Sequence, residues 1–279
     1  MKRSLRGLIP RSLRLLLRKV YYAPRDLIDF ARGNRTDLTP PTRMVKSIGG
    51  GDFHKGGDEF LRLFVEIGGL KRTDSVLDIG CGAGRMAVPL TAWLDKNARY
   101  EGFDITPEEI RWCQKKITSR FPNFRFQHSD IYSYVYNPTA KTRASEYRFP
   151  FDDGQFDFVF LTSVFTHMLP PDLENYLKEI ARILTAGGKS FITYFLLNDE
   201  SIALMKRGRS SLSFNYDLDG CSTTDKEAPE SAIAYPELTI RSLNETHGME
   251  VTLPIRYGSW CGRSEYTTYQ DVVVSKKKV

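Results

Sequence analysis

The chain has 279 residues, of which 41% are hydrophobic and 27% charged, a composition typical of globular proteins. No apolar run approaches the roughly 18 residues of a membrane-spanning helix. The four cysteines form no C-x-x-C pair, so they indicate neither a metal site nor a disulfide framework, and a cytoplasmic location is expected. Residues 1–25 hold eight Lys or Arg and no acid, which leaves 32 basic against 34 acidic residues elsewhere. Without a basic excess in the rest of the chain, a nucleic-acid substrate is disfavoured.

Residues 11–22 predict a short basic amphipathic helix. Its apolar residues recur on one helical face: Leu13, Leu16, Leu17 and Val20. Such a helix suits peripheral contact with an anionic membrane, an organelle-targeting presequence, or packing of its leucine face on the protein. Residues 33–57, dense in Gly and Pro, follow as either a lid or a linker. The sequence therefore divides into an N-terminal segment, residues 1–57, and a domain, residues 58–279.

The stretch from Val76 to Arg85, VLDIGCGAGR, predicts the first half of a nucleotide-binding β-α-β unit. A short apolar strand precedes three glycines at alternate positions, and apolar residues then recur at helical spacing. The glycines allow a ligand to approach the backbone, and the helix N-terminus offers free N–H groups. Asp78 lies inside the strand end, where a carboxylate would repel a pyrophosphate but would suit a cationic ligand.

The next predicted strand, Tyr100 to Asp104, ends in a carboxylate twenty residues after Gly84. This is near the spacing of about 20 expected for a group that binds ribose hydroxyls. The glycine pattern is G-x-G-x-G, whereas dinucleotide sites usually have G-x-G-x-x-G. With these residues the chain resembles the class I S-adenosylmethionine-dependent methyltransferases, whose first motif it matches nearly letter for letter.

The resemblance implies S-adenosylmethionine as cofactor and assigns roles to residues of the matching motifs. In the family, an acid after the third strand faces the adenine amino group. Asp130 occupies that position, although it also suits a helix N-cap. The expected cofactor-binding residues are Asp78, Gly80, Cys81, Gly82, Gly84, Arg85, Asp104, Ile105, Asp130, Ile131 and Thr162.

The predicted fold is α/β, a Rossmann-like doubly wound seven-stranded sheet with an antiparallel final strand, plus N-terminal helices. The predicted strands are residues 76–79, 100–104, 124–128, 156–162, 189–197, 249–257 and 266–274. Predicted helices span residues 58–68, start at Pro107 and Pro170, and run from Pro236 to Gly248 with Leu238 and Leu243 inward. Residues 198–234 are polar and form an insertion, where acceptor-binding caps often occur in this fold.

The segment after the fourth strand, Leu161 to Met168, is expected to border both cofactor and acceptor. It has no Asn- or Asp-Pro-Pro-aromatic motif, and the fourth and fifth strands have no cysteine nucleophile, which argues against nucleic-acid base methylation. His167 is the titratable residue near the expected methyl position, so it is the candidate general base, or it caps the next helix.

Three residues are candidates for binding the acceptor: Tyr194, Trp260 and Arg263. Trp260 and Arg263 share a glycine-flanked loop, where an aromatic face and a forked donor suit a sugar ring; core packing of Trp260 is the competing interpretation. The predicted reaction is methyl transfer to a hydroxyl of a sugar, glycolipid or related small molecule. Alternatives are N- or O-methylation of a protein or natural product, and non-catalytic cofactor binding.

Overall fold

The structure, a computed structural model, describes residues 11–33, 35–47, 51–134 and 136–279, without the side chains of residues 11–19 and 47. The strands are β1 (Val76–Ile79), β2 (Tyr100–Asp104), β3 (Phe124–His128), β4 (Phe156–Leu161), β5 (Leu184–Tyr194), β6 (Leu196–Leu197), β7 (Tyr216–Leu218), β8 (Cys221–Thr223), β9 (Ile233–Pro236), β10 (Met249–Val251) and β11 (Asp271–Lys277). The α-helices are α1 (Arg11–Ala31), α2 (Thr42–Ser47), α3 (Phe53–Glu66), α4 (Ala87–Trp93), α5 (Pro107–Cys113), α6 (Pro170–Ile183), α7 (Asp199–Lys206) and α8 (Glu237–Thr246).

Seven strands form the central sheet, in the spatial order β10-β11-β5-β4-β1-β2-β3. Strands β1 to β5 are parallel, whereas β11 runs antiparallel to β5 and β10 antiparallel to β11. The predicted doubly wound sheet with an antiparallel finish is therefore confirmed. Strand β1 is buried along its whole length because β2 and β4 flank it and helices cover both faces.

The register brings the ends of β1, β2 and β4 to one edge of the sheet. Ile79 pairs with Phe103 on one side and with Leu161 on the other. Gly80, Asp104 and Thr162 follow at the same level, so the glycine turn, the second-strand carboxylate and the segment after β4 meet there. This is the edge where ligands bind in open parallel sheets.

Several predicted boundaries are wrong for local reasons. Helix α3 begins five residues earlier than expected, because the Asp52 side chain accepts hydrogen bonds from the backbone N–H groups of His54 and Lys55 and so caps the helix there. Helix α6 ends at Ile183, and strand β5 begins at Leu184, five residues before the predicted start of the fifth strand at residue 189. In α8, Leu238 is 79% exposed and Ile240 is buried in its place.

The insertion forms a layer of its own beside the central sheet. Strands β7, β8 and β9 join β6 in a second, four-stranded sheet. A separate apolar cluster lies beneath it, with these buried members: Phe195, Phe214, Ala232, Ala234, Trp260 and Cys261. The predicted polar insertion, residues 198–234, therefore includes the helix α7, the strands β7 and β8 and the start of β9.

The N-terminal segment includes two helices, and its contacts run toward the nucleotide unit. In α2, the Arg43 guanidinium donates two hydrogen bonds to the carboxylate of Glu108, at the start of α5. In α1, Asp26 accepts from the backbone N–H of Thr42 at 2.9 Å. No helix among the described residues has both the length and the apolar character needed to cross a membrane.

Candidate active site

A cavity of about 560 Å³ opens at the carboxyl ends of β1, β2 and β4. Ten of the residues predicted from the sequence line it: Asp78, Gly80, Cys81, Gly82, Arg85, Asp104, Ile105, Ile131, Thr162 and His167. Residues from α3, the β5–β6 junction, the insertion and the segment before β11 complete the wall, including Phe60, Phe195, Leu212 and Tyr269. The cavity thus has a half built from the parallel strands and a half built from other segments of the chain.

The glycine turn is shaped by backbone that only glycine adopts freely. Gly80 has φ +80°, and a Cβ atom there would lie 2.5 Å from Cγ2 of Val164. Gly82, with φ +51°, donates its N–H to Oδ2 of Asp104 at 2.7 Å. The other oxygen of Asp104 accepts from the backbone N–H and the hydroxyl of Thr106 at 2.8 and 2.6 Å. These bonds fix the Asp104 carboxylate beside the turn.

Asp78 is the more unusual carboxylate, because it is 1% exposed and belongs to no ion pair within the described part of the chain. The hydroxyl of Tyr100 donates to its Oδ2 at 2.6 Å. Burial raises the pKa of Asp78 to about 8, against the hydrogen bond, which acts in the opposite direction. A buried carboxyl on a cavity wall is electrostatically complementary to a cationic ligand.

Two predicted cofactor residues do not line the cavity. Gly84, with φ +77°, packs its Cα against Ile117 and Cys113 of the helix that follows β2, where a Cβ would lie 2.7 Å from the Ile117 side chain. Asp130 is exposed and accepts a hydrogen bond from the Asn137 amide at 3.0 Å. The Asp130 side chain turns to a neighbouring loop, whereas its neighbour Ile131 lines the cavity.

His167 lies on a 3-10 turn, Phe165–His167, that follows β4. Its Nδ1 lies 2.8 Å from the carbonyl oxygen of Glu230. Because a carbonyl only accepts, Nδ1 carries the proton, which leaves Nε2 with a lone pair. Burial lowers the pKa of His167 below its usual value, so the ring is neutral at pH 7.

The cavity lining also includes polar residues that were not predicted from the sequence, among them Ser163, Thr166, Glu230 and Gln270. Ser163 has a left-handed backbone, φ +59°, and its hydroxyl donates to the Gln270 side chain at 3.0 Å. Thr166 is 1% exposed, and its Oγ1 has no hydrogen-bond partner among the described residues. Of these residues, Ser163 is the one that could have been predicted from the sequence, because it directly follows the predicted fourth strand.

The three predicted acceptor residues are buried and do not line the cavity. Trp260 is 0% exposed and stands behind Phe195, with ring centroids 5.4 Å apart. Its Nε1 donates to Asp271 at 2.7 Å, and Arg263 donates to the same carboxylate at 3.1 Å. Tyr194 is 1% exposed and packs on Phe165 at 5.5 Å between ring centroids. Because the Asp271 carboxylate is buried, it needs hydrogen-bond donors inside the protein, and Trp260 and Arg263 provide them.

Comparison with known proteins agrees with this geometry. Residues 76–188 match a family model for a methyltransferase domain. The sterol 4-C-methyltransferase strm-1 of Caenorhabditis elegans is 30% identical over 122 residues, 43% of this chain and 30% of that protein. The ubiquinone/menaquinone biosynthesis C-methyltransferase UbiE of Geobacter sp. (strain M21) is 28% identical over 134 residues, 48% of this chain and 51% of that protein. The chain spans about half or less of the length of these relatives.

A solved structure shares the fold. The crystal structure of a SAM-dependent methyltransferase from Methanosarcina mazei has a TM-score of 0.51 and 22% identity, over 75% of this chain and 95% of that chain. The fold implies S-adenosylmethionine as cofactor, and the unpaired acid Asp78 and the fixed carboxylate Asp104 fit that cation. Residues 76–188 belong to the methyltransferase domain family, and the chain has the fold of the class I S-adenosylmethionine-dependent methyltransferases.

Proposed function

We propose that this protein transfers a methyl group from S-adenosylmethionine to a small acceptor with an apolar body and one nucleophilic position. The observation that carries the proposal is the pair of carboxylates, Asp78 and Asp104, on either side of the glycine turn. One is buried and has no cationic partner in the part of the chain that the structure describes, and the other is fixed at the end of β2. Both line one cavity large enough for a cofactor and a small acceptor.

The strand half of the cavity would bind the cofactor. Asp104 would accept hydrogen bonds from the ribose hydroxyls, and Asp78 would face the positively charged methionine end. Gly80 and Gly82 would let the ligand approach the backbone, because neither presents a side chain to the turn. Ile105 and Ile131 are apolar and line the same cavity, so they would contact the adenine faces.

His167 would act on the acceptor. S-adenosylmethionine supplies a methyl group on a sulfonium, which is reactive once a nucleophile is aligned with it. The neutral His167 ring, with its proton held on Nδ1 by the Glu230 carbonyl, can take the acceptor proton on Nε2. The lowered pKa keeps this nitrogen available at neutral pH.

The acceptor side favours an apolar body over a sugar. Its wall includes the apolar side chains of Phe60, Phe195 and Leu212 and the ring of Tyr269, beside polar residues such as Thr166, Glu230 and Gln270. The sugar interpretation rested on Trp260 and Arg263, which lie outside the cavity and are engaged by Asp271. The names of the two curated relatives describe methylation of a sterol and of quinone precursors. These names support an acceptor with a ring system.

The test has two stages. Calorimetric titration with S-adenosylhomocysteine measures cofactor binding, with Asp104→Asn as the comparison. Transfer of a labelled methyl group into fractionated cell extract then identifies the acceptor class, with His167→Gln as the comparison. We expect binding that Asp104→Asn weakens, and label in the apolar fraction that His167→Gln lowers by about a hundredfold.

Each stage has a result that contradicts a part of the proposal. Absence of binding to the wild-type protein removes the methyltransferase activity. Label in polar or protein fractions removes the apolar acceptor and keeps the activity. Equal turnover by His167→Gln removes the general base and leaves alignment of the reactants as the source of the rate.

A further inference from the structure

Helix α1 is oriented opposite to what is usual for an amphipathic helix beside a folded domain. Val20, Leu27 and Phe30 are 64%, 70% and 71% exposed. The less exposed positions are Tyr22, Asp26 and Asp29, which recur at the spacing of one helical face. A surface helix normally turns its apolar stripe to the core. Here the side with two aspartates faces the protein and the apolar side faces solvent.

Polar contacts hold the helix in this orientation. Oδ1 of Asp26 accepts from the backbone N–H of Thr42 at 2.9 Å and from the Arg35 guanidinium at 2.5 Å. Asp29 pairs with Arg25 at 3.7 Å within the helix itself. The helix is therefore attached through Asp26, which does not belong to the outward apolar face.

The sequence extends the same pattern toward the N-terminus. Leu13, Leu16 and Leu17 share the helical spacing of Val20 and Leu27, so one apolar stripe can run along the whole helix. Residues 1–25 also hold eight Lys or Arg and no acid. Apolar residues beside a concentrated positive charge are the composition of helices that lie on anionic membranes.

We propose that α1 lies on an anionic membrane, with Val20, Leu27 and Phe30 among the acyl chains and the basic residues at the lipid phosphates. This interaction goes beyond the proposed function and does not require it. A second copy of this chain suits the face less well, because pairing would bring two strongly basic segments together. The charge favours a negatively charged lipid surface.

Vesicle sedimentation of the full chain tests the proposal, using phosphatidylcholine vesicles with and without phosphatidylglycerol. We expect binding to the vesicles that contain phosphatidylglycerol, with loss of binding at high salt. The variant Val20→Glu/Leu27→Glu/Phe30→Glu should lower the partition coefficient by about tenfold or more. Leu238→Glu is the matched control, because it places a glutamate at a 79% exposed leucine of α8; its binding should equal that of the wild type.

Failure of wild-type binding to anionic vesicles overturns the proposal, as does equal binding by the triple variant. Light scattering after size-exclusion chromatography tests the alternative that a second copy of this chain binds the apolar face of α1. A wild-type dimer that the triple variant dissociates would assign the face to self-association instead. Thermal unfolding and S-adenosylhomocysteine titration verify that the variants are folded. If the triple variant is not folded, Leu27→Glu alone carries the comparison, and unchanged binding by that variant again overturns the proposal.

Discussion

The two halves of the cavity are built by different means. The strand half depends on neighbouring parallel strands whose register places Gly80, Asp104 and Thr162 at one level. Its residues are far apart in the chain, but each lies in, at or directly after the end of a strand. The other half, which we propose binds the acceptor and is therefore called the acceptor half, is built differently. It takes Phe60 from α3, Phe195 from the end of β5, and others from the insertion and the segment before β11.

Two buried carboxylates, Asp78 in the cavity and Asp271 outside it, differ in their partners. Asp78 has no cationic partner among the described residues and lines the cavity, so it remains available to a ligand. Asp271 is 0% exposed and is fully engaged by the N–H groups of Leu196, Gly258 and Trp260 and by Arg263. A buried charge with all its partners indicates a structural role, whereas one without a cation indicates a binding role.

The largest expected effect comes from removing a partner of Asp271. Arg263→Ala leaves that carboxylate buried beside an empty volume, and should lower the free energy of unfolding by about 3–5 kcal/mol. Arg62→Ala is the matched control, since the Arg62–Glu66 pair is 57% exposed on both sides and should contribute only about 0.5 kcal/mol. Urea unfolding measures both. A stable Arg263→Ala protein that has lost acceptor turnover would restore the acceptor role of Arg263.

Asp104→Asn tests the strand half. The substitution keeps the shape of the side chain but replaces a charged acceptor of ribose hydroxyls, so affinity for S-adenosylhomocysteine should fall about a hundredfold. Asp130→Asn provides the comparison, because Asp130 is exposed and outside the cavity. Calorimetric titration of both variants makes the distinction. A larger loss for Asp130→Asn would mean that its side chain turns to the ligand on binding.

The strand half was predictable because its signals are local. Each strand that ends at the site is a short apolar run, and Gly80, Asp78 and Asp104 lie within or next to such runs. The resemblance to the methyltransferase family then identified the cofactor. The role that it assigned to Asp130 was the least well supported, because it rested only on a position after a strand. The direction of that side chain depends on Asn137, seven residues away in a loop.

The acceptor half could not be predicted, because its members come together only through tertiary packing. Glu230 contacts His167 across 63 positions of sequence. Trp260 has the local sequence of an exposed binding loop, and only the distant Asp271 and Phe195 explain its burial. Leu238 shows the same limit on a smaller scale, since the helix was correct but its inward face was misassigned.

Asp78→Asn should raise the stability of the protein and weaken its binding of the cofactor. The pKa of Asp78 is about 8 when folded, against about 3.9 in an unfolded chain, so between these values the folded state holds a proton that unfolding releases. The free energy of unfolding contributed by this group therefore falls as pH rises from about 4 to 8. Asn removes that pH dependence. Because the amide of the asparagine is also buried, we expect the free energy of unfolding at pH 7 to rise by only about 2 kcal/mol.

The same substitution should weaken cofactor binding. The ammonium group of S-adenosylhomocysteine favours ionisation of the Asp78 carboxyl, so wild-type binding of this ligand at pH 7 should release a proton, and Asp78→Asn should bind with less release. Titrations in buffers of different ionisation enthalpy measure the proton, and thermal unfolding from pH 5 to 8 measures the stability. Equal proton release by both proteins would show that Asp78 is already ionised without ligand.

The smallest expected effect concerns Thr166, whose buried hydroxyl lines the cavity without a partner among the described residues. Thr166→Val should raise the free energy of unfolding by about 1 kcal/mol, because an unsatisfied polar group is removed. Ser190→Ala is the control: its hydroxyl is also buried and unpartnered, but Ser190 lies in β5 away from the cavity. If the Thr166 hydroxyl binds the acceptor, only Thr166→Val should raise the KM for the acceptor, by about tenfold, with cofactor affinity unchanged. Unchanged KM in both variants would mean that the acceptor half recognises its ligand by shape and apolar contact alone.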